Sequence, residues 1–569
     1  MGRMVRLAAV LMAIGMLACM IPMNAGAGTP QAPTDAELAA RYAPILNFKN
    51  GERCFPVEVE YFIQNCNLNR SVGGNPTLVD SSPTISELAS YSGSGYSDYY
   101  LDNRLGSVND DRIIKAYQQQ EASLGYTVYY HIYASSSSIV IQYWLFYVFN
   151  PATYNNHEGD WEMVQVTLDA SYAPVSASFS QHESGMEAGW DLVERSGDNI
   201  KVYVALGSHA NYFRPYQGKT GMAQDSVGND GKVLDSSKYD LVDMGELSTP
   251  NTSPNTAWIK FGGHWGDYGS ISAQYRGERG PLGPAYRQNA QMWNDPVAWS
   301  SSLVVLDNNM LLLDQVYTNF IWIVIGFLLL AIVFMVLRIL KRKKDGESLK
   351  PICAMLEFKG RIGIANILAI AAVVIAIIGA FLPYYTASAN ITTGQFQTPG
   401  WVDVFSFSGV DGLMVNGVDD QGVPYQLAAI ALPFGMLIFL SMALLVIGSV
   451  VTRRKKMPMR YISKGITLIV VLVMILVVVM SISALEPMFH QIEGGDGAVA
   501  IVQEIAKNPI GGSTTLTVPS YGQVDMKWGL GIGALLMVIA GIMLLVAGLM
   551  YRTACKEQKA PTTEAPKSQ

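Results

Sequence analysis

After residue 318 the chain contains five long apolar stretches, at 319–340, 362–383, 427–451, 465–485 and 529–550. An α-helix needs about 20 apolar residues to cross the hydrocarbon core of a bilayer. Each stretch is about that long, and away from its ends none contains Asp, Glu, Lys, Arg or His. The pattern predicts an α-helical transmembrane bundle of five helices. Ionisable groups inside a membrane usually mark ion or proton paths, so their absence argues against an ion-coupled transporter. Gly529 and Gly533 form a small-xxx-small pair suited to helix packing.

The flanks set an orientation. Lys341-Arg342-Lys343-Lys344 follows the first stretch, Arg453-Arg454-Lys455-Lys456 follows the third, and Arg552 and Lys556 follow the fifth. Arg460 and Lys464 precede the fourth. By the positive-inside rule these ends are cytoplasmic. The expected order is then transmembrane helix 1 (319–340), a cytoplasmic basic loop (341–361), a hairpin (362–451) with outer loop 384–426, a second cytoplasmic basic loop (452–464), a second hairpin (465–550) with outer loop 486–528, and a disordered cytoplasmic tail (551–569). Residues 1–27 read as a signal peptide: Arg3 and Arg6 precede the apolar run Leu7–Ile21, and Ala25-Gly26-Ala27 offers a cleavage site. The expectation is a multi-pass cell-membrane protein with domain 28–318 extracytoplasmic and the C-terminus cytoplasmic.

That domain is acidic. Residues 31–318 hold 32 Asp and Glu against 17 Lys and Arg. Such a balance excludes a basic nucleic-acid binder, and the expected partners are the lipid bilayer, other membrane proteins and a glycan or lipid ligand. Thr127–Tyr133 and Ile139–Val148 are β-branched and aromatic, with a turn at Ser135–Ser138, and read as a hairpin. Trp161–Leu168, Val175–Ser180 and Lys201–Leu206 read as further strands, while helical pattern is confined to Asp35–Tyr42 and Asp110–Gln119. The class predicted is an all-β ectodomain, a β-sandwich with long loops. The Ser-, Gly- and Tyr-rich run 89–100 reads as a flexible loop. In an oxidising exterior Cys54 and Cys66 are expected to pair as a disulfide, whereas Cys353 and Cys555 are expected to be free thiols.

Chemistry-bearing residues gather in three places: Asn156-His157-Glu158-Gly159-Asp160-Trp161-Glu162, Ser180-Gln181-His182-Glu183 and Gly207-Ser208-His209. On a strand, Asp160 and Glu162 share one face while Trp161 and Met163 point into the core. Two neighbouring acids repel unless a cation or a donor stands between them, and His157 lies within reach of the same spot. His157, Asp160 and Glu162 are therefore candidate metal ligands, with His182 and His209 as an additional site. Carboxylates suit magnesium or calcium, and His admits zinc. Two other arrangements remain open: hydrogen bonding that ties loops over the sheet edge, and acid–base catalysis. The domain has no Gly-x-Ser-x-Gly elbow, His-Glu-x-x-His or Walker loop, so an enzyme is the less favoured reading, and no organic cofactor is expected.

Several of these blocks resemble, in order, the vacuolar protein sorting 62 family. They are Tyr42-Ala43-Pro44 with Phe48 and Phe55-Pro56, Tyr143–Tyr147, His157–Glu162, Ser180-Gln181-His182, Ala205–Tyr212, Gly263-His264-Trp265-Gly266 and Gly280–Tyr286. The resemblance covers about 40–300. More distantly, His157-Glu158-Gly159-Asp160-Trp161-Glu162 is similar to the Gly-His-Arg-His-Asp-Trp-Glu heptapeptide of the necrosis-inducing toxins, β-sandwich proteins in which such residues help hold a divalent cation at a glycolipid surface. The toxin resemblance implies a cation site at His157, Asp160 and Glu162, although Glu158-Gly159 replaces the Arg-His of that motif. The expected function is a membrane-anchored surface protein binding a glycan or lipid head group. The alternatives are an extracytoplasmic hydrolase using the His/Asp cluster and a membrane trafficking or assembly factor.

Overall fold

The computed structural model describes residues 32–557, apart from 73–74, 109, 152–155, 183, 220–224, 268–279, 347–352, 393–396, 419–423, 431–433, 482–494 and 519–521. The expected signal peptide and the tail beyond residue 557 lie outside the described residues.

The N-terminal region is rich in β-structure. Its largest sheet has seven strands in the order Asp240–Asp243, Thr127–Ala134, Ser138–Asn150, His157–Asp169, Pro174–Gln181, Ser184–Gly189, Val304–Leu306. The inner junctions are antiparallel and the two edge strands are added in parallel. The hairpin expected around Ser135–Ser138 is present, closed by the Ser135 N–H on the Ser138 carbonyl at 2.9 Å. A second sheet is built on Ile45–Phe48, which pairs in parallel with Asn199–Val204. Cys66–Val72, flanked by Asn75–Asp80 and Tyr99–Asn103, makes a third sheet.

Alternation along His157–Asp169 puts Trp161 and Met163 on the apolar side. The Trp161 ring lies 5.3 Å from Trp258, 5.4 Å from Trp265 and 5.0 Å from Phe146, and all four are fully buried. Aromatic rings of this size dominate core energetics, and edge-on contacts of the Trp161–Trp265 kind add about 0.5–1.5 kcal/mol each. The opposite side of the same strand carries Asp160 and Glu162.

Helices occur where expected, at Asp35–Tyr42 and Arg112–Leu124, and also at Val59–Gln64, Pro296–Ser301 and Asn308–Thr318, which the periodicity did not suggest. Two further expectations need correction. Residues 89–100 are not an open loop: Ser94–Tyr96 forms a helical turn, Tyr99 starts a strand, and the rings of Tyr91, Tyr96 and Tyr99 pack within 5.5 Å of one another. Cys54 and Cys66 are both buried free thiols, not a disulfide. The helix Val59–Gln64 separates them; Cys54 sits near Glu52 and Asp160, while Cys66 sits near Glu158 and Asp102. Cys353 and Cys555 are also free, as expected.

In the C-terminal part, four helices are long and apolar enough to cross a membrane: Phe320–Lys344, Gly360–Ala380, Met457–Met480 with the turn before it, and Ile532–Glu557. The remaining apolar helix, Phe434–Val451, is shorter. The stretch expected to span from 427 begins instead as strand, since Pro424–Ile430 is β. Gly529 likewise belongs to the strand Gly522–Leu530 and so forms no helical pair with Gly533. Small residues do line the real interface: Ala365, Ala369, Ala372 and Ala376 on one helix are fully buried, as are Ala534, Ala540 and Ala547 on its neighbour.

The two expected outer loops join into a single six-stranded antiparallel sheet. Its order is Pro424–Ile430, Gly412–Val418, Val402–Ser408, Pro383–Ile391, Gly522–Leu530, Gly511–Val518. The junction runs from Tyr385 opposite Leu530 to Ile391 opposite Val524. The helices explain it. Gly360–Ala380 and Ile532–Glu557 pack side by side, so the C-terminal end of the first and the N-terminal end of the second bring Pro383–Ile391 and Gly522–Leu530 next to each other.

Candidate functional site

The polar side of His157–Asp169 meets the loop that follows Asn199–Val204. That loop turns sharply: Gly207 has φ +78° and His209 φ +54°. The turn drives the His209 imidazole between two carboxylates. Its Nδ1 is 2.8 Å from Asp160 Oδ2 and its Nε2 is 3.6 Å from Glu52 Oε1. The ring lies flat on Tyr147, 3.8 Å between centroids and 1° between planes. Tyr147 is the cross-strand partner of Asp160, which fixes this geometry. Burial opposes a charge on His209, but Glu52 and Asp160 more than offset it and raise its pKa to about 9. Burial likewise opposes the Glu52 carboxylate. His209 and the N–H groups of Cys54 and Gly207 overcome that and hold it at about 2. For Asp160 too burial is the largest influence and opposes the charge, but the His209 bond together with the neighbouring positive charges overcomes it and lowers the pKa.

His182 ends the neighbouring strand at φ +56°. Its Nε2 stands 2.8 Å from Asp225 Oδ2, and its side chain is 36% exposed. Asp225 also accepts from Ser208 Oγ and Tyr212 OH, both at 2.6 Å. The Asp225 bond raises His182 to about 9 against the opposing effect of burial. Six described non-glycine residues lie in the left-handed region, Tyr172, His182, His209, Gln288, Asn289 and Ala290; two of them are the histidines of this site, each at a cost of order 1–3 kcal/mol.

Glu162 lies between these two units. Burial, and then the charge of Asp160, raise it to about 8, so it is protonated at neutral pH. It is hydrogen-bonded to Ser180, whose Oγ also accepts the Met163 N–H at 2.8 Å. Arg287 donates to the His182 carbonyl at 3.2 Å, and its charge reaches His157, Asp160 and Glu162.

His157 plays a different part from the one expected. Its Nδ1 donates to the Gly159 carbonyl at 2.7 Å, so in the neutral ring Nε2 is left to accept from the Asn150 amide at 3.0 Å. Burial lowers its pKa and keeps the ring neutral. Gly159 has φ +56°, and a Cβ there would stand 1.9 Å from the Trp265 carbonyl oxygen, so only glycine fits. Beyond this kink Glu158 leaves the cluster and accepts from the Asn103 N–H at 2.8 Å.

The fold thus brings Asp160, Glu162, His182 and His209 together; His157 stays beside them, its Nε2 4.0 Å from Asp160 Oδ1, but its hydrogen bonds go to Asn150 and Gly159. The arrangement does not fit the divalent ion implied by the toxin resemblance. Both His157 nitrogens are hydrogen-bonded, and Asp160 is held by His209. Among the described residues, no group of three His, Cys, Asp or Glu side chains could hold a metal ion. The charges also cancel there: Glu52, Asp160 and Asp225 are negative, and His182, His209 and Arg287 are positive. Glu52, Asp225 and Arg287 were missed from sequence. Each lies in a loop far along the chain from its partner, and only Arg287, next to Tyr286 of a quoted block, had a local signal.

Residues 16–278 match the model of the family described as vacuolar protein sorting-associated protein 62 (Vps62). No curated protein matches the chain. Among solved structures, NLPPya in complex with glucosamine is 17% identical, over 48% of this chain and 92% of its own, with a TM-score of 0.24. NLPPya in complex with mannosamine is 16% identical over 46% and 89%, TM-score 0.23. Necrosis and ethylene inducing protein 2, from the causal agent of cocoa's Witches Broom disease, is 14% identical over 38% and 74%, TM-score 0.19. At such values nothing about activity transfers.

Proposed function

We propose that this chain, which carries a Vps62 domain in its N-terminal half, is a membrane-anchored surface protein whose β-sandwich ectodomain binds a neutral, hydroxyl-rich ligand: a glycan or the glycosylated head group of a lipid. Five spans hold it in the bilayer, the four long helices and Phe434–Val451, which at 1.5 Å per residue reaches about 27 Å. The basic helix ends face the cytoplasm by the positive-inside rule, so the ectodomain and the six-stranded sheet face outward.

One observation carries the ligand reading. His182 is strained, oriented by Asp225 and open to solvent at the rim of a cluster whose charges cancel. A balanced set of donors and acceptors suits hydroxyl groups, which need partners but no counter-ion. An excess of carboxylate would suit a cation, and an excess of base an anion. Binding of the full-length protein to vesicles of phosphatidylcholine, with and without a glycosylated lipid, tests the reading. Retention on the glycosylated vesicles should fall at least tenfold in His182→Gln and in Asp225→Asn. Equal retention of the wild type on both vesicles would reject it.

A further inference from the structure

We infer that the end of the helix bundle remote from the six-stranded sheet binds the phosphate of an anionic phospholipid. A cavity of about 560 Å³ opens there between Phe434–Val451 and Met457–Met480. Lys455, Lys456, Arg460 and Lys464 line it together with the apolar Leu445 and Met459, and among the described residues no acid contributes to the wall. This inference requires only membrane-length helices and is independent of the ectodomain ligand.

Basic residues at a helix end are ordinarily topological punctuation. Three features set these apart. First, they are unpaired. Elsewhere at this end cations find acids: Arg454 pairs with Glu357, and Arg361 with Glu557 at 2.5 Å. Lys455, Lys456 and Arg460 have no ion pair among the described residues. Second, two of the cations are seated inside the bundle. Lys464 lies two turns into its helix and donates to Ser441 Oγ at 2.9 Å. The Arg460 guanidinium presses on Gly448, where a Cβ would come within 1.8 Å of Nη1. Third, Arg338 of the Phe320–Lys344 helix adds a further cation at this end of the bundle. Arg338 also lines an adjoining cavity of about 520 Å³ with Lys341, Arg342, Arg453 and one acid, Asp345.

The four cations of the first cavity, drawn together with no acid among the described residues of its wall, need an anion from outside. Arg offers a planar fork matched to phosphate, Lys a point charge beside it, and pockets of this kind between helix ends suit lipid head groups. Met459, 61% exposed, supplies an apolar rim where an acyl chain would leave.

The test uses the full chain in a neutral detergent, with the melting temperature followed on adding phosphatidylglycerol, phosphatidylcholine or inorganic phosphate. Phosphatidylglycerol should raise the melting temperature by several degrees and the other two should not. The rise should shrink by at least half in the exposed pair Lys455→Gln/Lys456→Gln. It should vanish in Gly448→Leu, which unseats Arg460 without changing any charge. Equal rises with phosphatidylglycerol and phosphatidylcholine, or an undiminished rise in Lys455→Gln/Lys456→Gln, would overturn the site. A rise with inorganic phosphate as large as that with phosphatidylglycerol would overturn the lipid as its source.

Discussion

The Nδ1 of His209 stands 2.8 Å from the Oδ2 of Asp160, a residue 49 positions earlier, with neither side chain more than 5% exposed. With Glu52 on the other ring nitrogen, this imidazole is the only described cation in contact with two buried carboxylates. His209→Ala leaves both carboxylates buried without it, and breaking a buried pair in this way costs about 3–5 kcal/mol. Denaturant unfolding should show a loss of that size. Adding Glu52→Gln and Asp160→Asn to His209→Ala should recover part of it. A loss below about 1 kcal/mol would show that the three groups are not coupled.

Stability should depend on pH with a defined sign. The raised pKa of His209 contributes stability that is complete below about 6.5 and lost as pH rises through about 9. Glu162, raised to about 8, acts in the same direction between about 4.5 and 8. Glu52, lowered to about 2, contributes above about 4.5 and loses its share as pH falls through 2. The melting temperature should therefore peak near pH 4.5, where Glu52 has given its share and Glu162 has not begun to lose its own, and decline from there towards 9, more steeply above about 6.5 as His209 and His182 lose theirs. For the fully buried His209 the decline is bounded by about 3 kcal/mol. In His209→Ala the decline should flatten; an unchanged alkaline decline in that variant would contradict the assignment.

Because the cluster is already neutral, divalent ions have little to gain there. Magnesium, calcium or zinc should leave the melting temperature within about 1 °C of the metal-free value, since only an ion bound to the native state shifts it. A saturable rise abolished by Asp160→Asn would restore the cation reading drawn from the toxin motif.

The C-terminal sheet makes Asn390 and Asp525 direct neighbours across the segments 384–426 and 486–528. The double variant Asn390→Cys with Asp525→Cys should form an intramolecular disulfide under mild oxidation. The pair Asn390→Cys with Thr515→Cys, one strand further apart, should not. Equal cross-linking of both pairs would show that the loops do not share a register.

What the sequence revealed and what it concealed follow from the range of the interactions. The Ser135–Ser138 hairpin and the Asp160/Glu162 face rest on local periodicity and are where the pattern put them; four of the five apolar stretches are membrane-length helices, whereas the one expected from 427 begins as strand and yields a shorter helix. Glu52 and Asp225 reach the cluster only through the tertiary fold, and no spacing rule signals them. His157 looked like a ligand because it stands three residues from Asp160, but the kink at Gly159 turns it to Asn150. The joining of loops 384–426 and 486–528 was hidden for the same reason: each segment was read alone, whereas the helices below them bring the central strands together.

The most direct test of the central proposal is the vesicle-binding ratio of the wild type against His182→Gln, glycosylated lipid over phosphatidylcholine, at a pH below 9 where His182 is charged. A ratio well above one in the wild type that falls at least tenfold in His182→Gln, with the melting temperature little changed, is the predicted result. A ratio of one in the wild type, or the same ratio in both proteins, would contradict it.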